Sequence, residues 1–338
     1  MITERATENA PQHQAVLAGE AVPVPPEERP QPGPIAVLPD PEQRFIDAVE
    51  SAGGVVEELS ERTRGLVWLS YRDPESFAHA LEAHPGIGWV QLPFAGVDAF
   101  AGVLAAEARP GLLWTSAKGA YAQPVAEHAL ALTLALLRVL PKRVRARSWA
   151  TEDEGRSLYG MNVVIVGAGG IALELIRLLA PFGTDITVVR RSAHPVEGAR
   201  ATVPSERLRE VLPHADVVVV AAALTEGTRR LFGEAEFAAM KPSAYLVNVA
   251  RGGLVDTDAL VSALRNGEIA GAGLDVTDPE PLPDGHPLWD EPNALITPHQ
   301  ADTAEMVAPL LAERIRLNVE AFLGDGRFVG RVDPEVGY

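Results

Sequence analysis

Three residues suited to carbonyl chemistry stand just past apolar, strand-like runs. Arg251 follows Tyr245-Leu246-Val247-Asn248-Val249 and precedes Gly252 and Gly253, which leave the guanidinium uncrowded. Glu280 lies a few residues past Gly273-Leu274-Asp275-Val276, between two prolines that stiffen its loop. His299 follows Ala294-Leu295-Ile296-Thr297 and Pro298. Arginine presents a planar fork that holds a carboxylate at two points. Histidine gives or takes a proton at a carbonyl or hydroxyl oxygen, and a neighbouring carboxylate favours the protonated ring and fixes its tautomer. A lone arginine is usually a surface charge and a lone histidine usually packs. Three such residues at strand ends of one sheet rarely meet by accident, and ligands of open parallel sheets bind outside the carboxyl ends of strands.

The sheet that must position them begins at Val163-Val164-Ile165-Val166, which runs into Gly167-Ala168-Gly169-Gly170-Ile171-Ala172. Helically spaced Ile171, Leu175, Leu178 and Leu179 follow at once. Strand, glycine turn and helix at this spacing are the elements of a dinucleotide-binding turn. Gly167 makes the turn, Gly169 admits a pyrophosphate close to the backbone, and Ala172 lets helix and strand pack closely. The helix N-terminus offers N–H groups and partial positive charge to phosphates. Downstream, Ile186–Val189, the Val/Ala run after Asp216, Tyr245–Val249, Gly273–Val276 and Ala294–Thr297 complete six strands, the size of a doubly wound dinucleotide-binding sheet. An unbroken apolar run such as Val217–Ala222 suits a strand covered on both faces.

Upstream lies a smaller strand–helix alternation. Ile35–Leu38, Leu66–Leu69, Trp89–Leu92 and Leu112–Thr115 read as parallel strands, with helices over Pro41–Ala52 and Asp73–Leu81. Pro124 opens a long helix with Val125, His128, Ala129, Leu132, Leu136 and Val139 at helical spacing. It is apolar on more than one face and is expected to be buried between domains or subunits. Lys142, Arg143, Arg145 and Arg147 at its end suit the helix dipole. Ala304 to Phe322 is a final helix, expected to return to the first domain. Residues 1–33 are rich in Pro, Glu and Ala without periodicity and are expected to be a disordered tail. The fold expected is therefore α/β, with two Rossmann-like domains of doubly wound parallel sheets: 34–117 for substrate, 118–299 for the dinucleotide, and 300–338 completing the first domain.

Composition removes several alternatives. The net charge of −17 argues against a nucleic-acid partner and against anionic membranes. The chain has no cysteine, which excludes disulfides, thiolate catalysis and cysteine-based metal sites; no metal is expected. No apolar run reaches the ~18 residues of a membrane span, the N-terminus lacks a signal-peptide core, and a cytoplasmic location is expected. Aromatics are few, so the core is expected to be Ala, Val and Leu.

With these blocks in this order, the chain from about Ile35 onward resembles the D-isomer-specific 2-hydroxyacid dehydrogenases. Val125-Ala126-Glu127-His128 resembles the family's interdomain helix entry, and Gly167 to Ala172 its cofactor loop. Asn248 to Gly253 resembles its catalytic-arginine strand. Gly273–Val276 with Pro279-Glu280-Pro281 resembles the segment of a cofactor-contacting Asp275 and a catalytic Glu280, and Thr297-Pro298-His299 that of its histidine. The resemblance implies that Arg251 binds the substrate carboxylate and polarises the carbonyl, and that His299 is the acid–base, oriented by Glu280. Backbone N–H groups around Ala95 and Gly96 would hold the carboxylate from the first domain. Hydride would pass from a nicotinamide between the domains, and closure would exclude water. Cofactor contacts are expected at Gly167, Gly169, Gly170, Ile171, Ala222, Ala250 and Asp275. It also implies a two-fold dimer through the helix from Pro124.

Two positions depart from the family pattern: Ala223-Leu224-Thr225 where Pro-Leu-Thr is frequent, and Gln300-Ala301-Asp302, where small or apolar residues are common. The choice between NAD and NADP rests on the end of the second strand of the dinucleotide sheet. An acidic residue about 20 positions after the glycine turn would bind a ribose 2′-hydroxyl. Arg190-Arg191-Ser192 stand there, and Asp185 is at the strand's other end. Two arginines attract a 2′-phosphate, so NADP is expected as the cofactor, with NAD the alternative. Glyoxylate or hydroxypyruvate are the first substrates to consider, by analogy with the glyoxylate/hydroxypyruvate reductase branch. Formate- or phosphite-type oxidation on the same scaffold, or a cofactor-sensing corepressor role, are the competing readings.

Overall fold

A computed structural model describes residues 13–14, 21, 23–149 and 153–334. In chain order they form β1 (Ile35–Leu38), α1 (Gln43–Ser51), β2 (Gly65–Trp68), α2 (Pro74–Ala83), β3 (Trp89–Gln91), α3 (Ala101–Ala106) and β4 (Leu113–Thr115). Next come α4 (Ala122–Leu137), α5 (Leu140–Arg145), β5 (Asn162–Val166), α6 (Gly170–Leu179), β6 (Asp185–Arg190), β7 (Ala201–Pro204) and α7 (Leu208–Val211). The remainder is β8 (Val217–Val220), α8 (Glu234–Ala239), β9 (Tyr245–Asn248), α9 (Thr257–Asn266), β10 (Gly271–Leu274), β11 (Ala294–Ile296), α10 (Ala304–Leu323) and β12 (Arg331–Val332). The chain divides into two compact units, changing over between Tyr121 and Ala122 and again between Asp302 and Thr303. No helix among the described residues is long and apolar enough to cross a membrane. No cluster of metal-ligating side chains occurs among them.

The first unit carries a sheet of order β1-β2-β3-β4-β12. Four strands are parallel, as their alternation with helices dictates, and β12 pairs antiparallel with β4. The core of this unit is built mostly of Ala, Val and Leu around a small aromatic cluster, in which Phe77 packs edge-on to Phe100 and Trp114 and tilted against Trp68. Asp73 caps α2 by accepting from the Ser76 N–H, which secures the entry of that helix. The long helix α10 packs on α1. Its Arg314 lies within the buried stripe, donates to the Ser116 carbonyl at 2.7 Å, and is pushed down to about 10 by burial. Residues 23–33 correct the expectation of a disordered tail. Val24 is buried, its N–H donates to the Gly326 carbonyl at 3.0 Å, and Arg29 Nε reaches back to the Val24 carbonyl at 2.9 Å. The rest of that stretch lies largely outside the described residues.

The second unit carries a fully parallel sheet of order β11-β10-β9-β8-β5-β6-β7. Its seventh strand, β7, was not apparent from its half-buried Ala201-Thr202-Val203-Pro204. Ser205 begins a short 3-10 turn that leads into α7. The all-valine β8 is buried along its whole length beside β5, as an interior strand covered on both faces must be. Helix α4 begins two residues before Pro124 and ends at Leu137. Val139 is in the left-handed region (φ 54°), and the basic residues Lys142, Arg143 and Arg145 lie on the separate α5. Helix α4 packs on α6, β9 and β10 inside this unit, while Leu130, Ala131 and Leu134 keep exposed surface. Gly273 permits the approach, since a side chain there would press on Leu132 and Leu136 at 3.2 Å.

At the amino edge of this sheet, Asp216 ties the starts of β5 and β8. It accepts from the Asn162 N–H at 3.0 Å, from Lys241 Nζ at 3.0 Å and from Arg156 Nη2 at 3.2 Å. Burial pushes its carboxyl up, but these partners pull harder and hold it below the ordinary carboxylate value. Asp216→Ala is expected to cost about 3 kcal/mol, because it strips two cations and a buried N–H of their acceptor. A folded-state value below the unfolded one makes this contribution fully present above ~4 and lost as pH falls through the folded value. Urea midpoints should therefore separate wild type from Asp216→Ala at neutral pH and converge as pH falls below the ordinary carboxylate value.

Candidate active site

All parallel strands of the second unit end on one edge, so the segments following β5, β6, β8, β9, β10 and β11 gather there. Three adjacent strands, β9, β10 and β11, deliver Arg251, Glu280 and His299. His299 Nδ1 lies 2.6 Å from Glu280 Oε1, with both side chains about half exposed. The carboxylate accepts the Nδ1 proton, which fixes the tautomer and leaves Nε2 to exchange a proton with a ligand oxygen. Arg251 has extended backbone and is half-buried, and its Nη1 donates to the Ala250 carbonyl at 2.8 Å. Asn248 braces the same turn, accepting from the Ala250 N–H and donating to the Arg251 carbonyl. Gly252 has a different purpose from leaving the guanidinium room. A Cβ there would overlap the Thr277 carbonyl, so glycine is what allows the loop after β9 to lie against the loop after β10. That contact brings Arg251 and Glu280 to neighbouring segments.

Asp302 adds a carboxyl that sequence reasoning noted only as a departure. Burial pushes it above the ordinary carboxylate value and Asp275 adds to that push, while His299 and Arg251 oppose it, which places both side chains within electrostatic reach of one carboxyl. Asp275 itself is almost wholly buried. Its Oδ1 accepts from Thr297 Oγ1 at 2.7 Å and from the Gln300 N–H at 2.9 Å, and its Oδ2 from the Ala301 N–H at 3.1 Å. Burial pushes this carboxyl up, but the hydrogen bonds from His128, Thr297 and the two backbone N–H groups win and hold it low. The carboxylate expected as a cofactor contact is thus engaged chiefly in holding the turn that carries His299.

The glycine turn has the form a dinucleotide requires. Gly167 has φ 114°, and a side chain there would overlap the Ala221 carbonyl at the end of β8. At Gly169 a Cβ would meet nothing within 4 Å, so the turn is pinned on one side and open on the other. The N–H groups of Gly169, Gly170 and Ile171 donate to no group among the described residues, and Ala172 is fully buried against the sheet. Open N–H groups at the start of a ten-residue helix suit a pyrophosphate. Ala222 and Ala250 lie at the ends of the neighbouring β8 and β9, and Arg190 closes β6 with exposed Arg191 and half-buried Ser192 after it. Asp185 lies at the opposite end of β6 and is paired with Arg200.

Ala95 and Gly96 belong to the first unit, in the loop after β3. The Pro93 carbonyl accepts from Tyr121 Oη at 2.5 Å and the Phe94 carbonyl from the Ala117 N–H at 3.0 Å. The Ala95 and Gly96 N–H groups donate to nothing among the described residues.

Comparison with known proteins gives matches along most of the chain. Residues 130–301 match the family model described as D-isomer specific 2-hydroxyacid dehydrogenase, NAD binding domain. An uncharacterized protein of the proB 3′ region of Corynebacterium melassecola is 43% identical over 259 residues, covering 75% of this chain and 84% of the relative. A glyoxylate reductase of Pyrococcus furiosus is 32% identical over 297 residues, covering 83% and 82%. The structure of a Xanthobacter autotrophicus Py2 D-isomer specific 2-hydroxyacid dehydrogenase with NADPH and MES superposes with TM-score 0.78 at 29% identity, covering 91% of this chain and all of that one.

Proposed function

The chain belongs to the D-isomer specific 2-hydroxyacid dehydrogenase family, and on that premise we propose that it reduces a short 2-oxo acid to the D-2-hydroxy acid at Arg251, Glu280 and His299, with NADPH preferred over NADH. The observation that carries the reading is the 2.6 Å contact between His299 Nδ1 and Glu280 Oε1 on strand ends adjoining that of Arg251. Arg251 binds the carboxylate and draws electron density from the adjacent carbonyl. His299 Nε2 gives its proton to the carbonyl oxygen while the Glu280 carboxylate stabilises the imidazolium, and takes it back in the reverse direction. The reduced nicotinamide, when bound, supplies the hydride. The turn at Gly167, Gly169, Gly170 and Ile171 would take its pyrophosphate. The open Ala95 and Gly96 N–H groups are proposed to hold the substrate carboxylate as well.

The relatives named glyoxylate reductase and glyoxylate/hydroxypyruvate reductase B make glyoxylate and hydroxypyruvate the first substrates to try. The NADPH preference rests on Arg190 and Arg191 at the end of β6 and on the position of Asp185 at the other end, engaged by Arg200. A 2-oxo acid panel run with each cofactor tests both points. Turnover should appear, and kcat/KM for NADPH should exceed that for NADH by about tenfold or more, the order of one charge-assisted hydrogen bond. A clear NADH preference contradicts the cofactor assignment.

A two-fold dimer is proposed through the exposed apolar side chains of the α5 region. Leu140, Val144 and Trp149 present apolar surface, Trp149 being 94% exposed. Light scattering at micromolar concentration is expected to give twice the chain mass for wild type and to shift toward the monomer in Val144→Glu. A monomeric wild type contradicts it.

A further inference from the structure

We propose that His128 is a positioning residue for His299, acting from α4 through Thr297 and Asp275. The inference rests on the acid–base assignment of His299 made above. His128 Nε2 lies 2.9 Å from Thr297 Oγ1 and 3.4 Å from Asp275 Oδ1. Thr297 Oγ1 in turn lies 2.7 Å from Asp275 Oδ1. A hydroxyl has one proton. Thr297 gives it to the carboxylate, which has none to offer, so His128 Nε2 must be the donor to the Thr297 oxygen. The direction of the relay is thereby fixed: His128 to Thr297 to Asp275.

Asp275 passes the constraint to the catalytic turn. Its two carboxylate oxygens accept from the Gln300 and Ala301 N–H groups, and its main-chain carbonyl accepts from the His299 N–H at 2.7 Å. His299 is held at φ 52°, one of three non-glycine residues of positive φ among those described. A histidine in this region is uncommon and persists where its surroundings over-determine it. The hydrogen bonds to Asp275 surround that residue on both sides. They set the direction of the imidazole, whose Nδ1 then meets Glu280. The close approach of α4 to β10 over Gly273 is what lets a helix so far back in sequence reach this turn.

The test compares His128→Leu, His128→Gln and Thr297→Val with wild type and His299→Asn, measuring kcat, KM for the 2-oxo acid, and the NADPH dissociation constant by fluorescence. Leucine removes the donor and keeps the bulk; glutamine keeps a donor at similar reach. His128→Leu is expected to lower kcat about 10- to 100-fold, the penalty of slight misplacement of a reacting group. The NADPH constant should stay within about twofold, since no contact of the glycine turn is altered. His128→Gln should regain most of the lost rate. The double variant His128→Leu/Thr297→Val should lose little more than either single variant, because both cut one relay. Wild-type kcat in a folded His128→Leu protein overturns the proposal, as do fully additive losses or failure of glutamine to rescue. Should His128→Leu not fold, Thr297→Val against His128→Gln decides the matter by the same kcat criterion. If His299→Asn keeps full activity, the acid–base reading falls and this inference with it. Full activity in His128→Leu beside an inactive His299→Asn removes the relay alone.

Discussion

Replacing His299 by asparagine is expected to lower kcat for 2-oxo acid reduction by about 10²–10⁴-fold, the usual contribution of a positioned general acid. The asparagine amide overlays Nδ1 and can still donate to Glu280, and Arg251 still holds the carboxylate, so substrate affinity should change far less than turnover. What it cannot do is deliver a proton as the carbonyl oxygen gains charge. The ring is prepared for that by the Glu280 carboxylate 2.6 Å from Nδ1. Glu280→Gln should therefore retain the geometry but lose part of the rate, because a neutral amide stabilises the imidazolium less than a carboxylate does. Steady-state kinetics of His299→Asn measures this directly. A kcat within threefold of wild type, well short of roughly the hundredfold minimum, would mean the proton comes from elsewhere.

Arg251→Gln is expected to lower kcat/KM by about 10²–10³-fold, the loss that follows when a charged hydrogen-bond partner is taken from a largely desolvated pair. Part of the fall should appear in KM, from weaker hold on the carboxylate, and part in kcat, from lost polarisation of the carbonyl. Arg251→Lys should recover little, because an ammonium has no fork to match two carboxylate oxygens. The NADPH dissociation constant should remain near wild type, since Arg251 follows β9 while the glycine turn follows β5. An Arg251→Gln protein with unchanged KM and kcat would remove the carboxylate clamp from the account.

Much of the second unit was legible because its signals are local. The glycine turn, the valine run of β8, and Arg251, Glu280 and His299 after their strands each follow from a few contiguous residues. Asp73 and Asp256 announce α2 and α9, and each accepts from a backbone N–H of the first turn. What escaped is set by distant partners. The two-residue β12 exists because it meets β4 after the chain has passed through the whole second unit. Its sequence has too little pattern to mark a strand. Arg314 interrupts an apolar stripe with a charge, and its partner there, the Ser116 carbonyl, is distant in sequence. The apolar surface of α4 is only partly explained by its sequence neighbours, since much of it is taken up by α6, β9 and β10. Residues 23–33 have the composition of a tail, but Val24 finds a pocket.

The candidate site shows the same division. Its residue types were readable, since arginine, glutamate and histidine advertise their chemistry. Their support was not. Only the residue type of His299 hints at its left-handed backbone, and the same enrichment applies to every other histidine and asparagine of the chain. The commitment of Asp275 to the turn at Gln300 and Ala301, and the reach of His128 to Thr297, come from the packing of α4 on β10. The Val125–His128 block gave one signal, a polar ring on an apolar helix, and its partner lies on another strand end.

The most direct test of the central claim is a single-turnover experiment. The protein–NADPH complex is mixed with hydroxypyruvate or glyoxylate, and the loss of reduced-nicotinamide fluorescence is followed for wild type and for His299→Asn/Arg251→Gln. The account predicts rapid oxidation of one nicotinamide per active chain in wild type and a signal that stays near its starting level in the variant, which still binds NADPH. Bound NADPH that no 2-oxo acid oxidises in wild type, or oxidation at the wild-type rate in the variant, would contradict it.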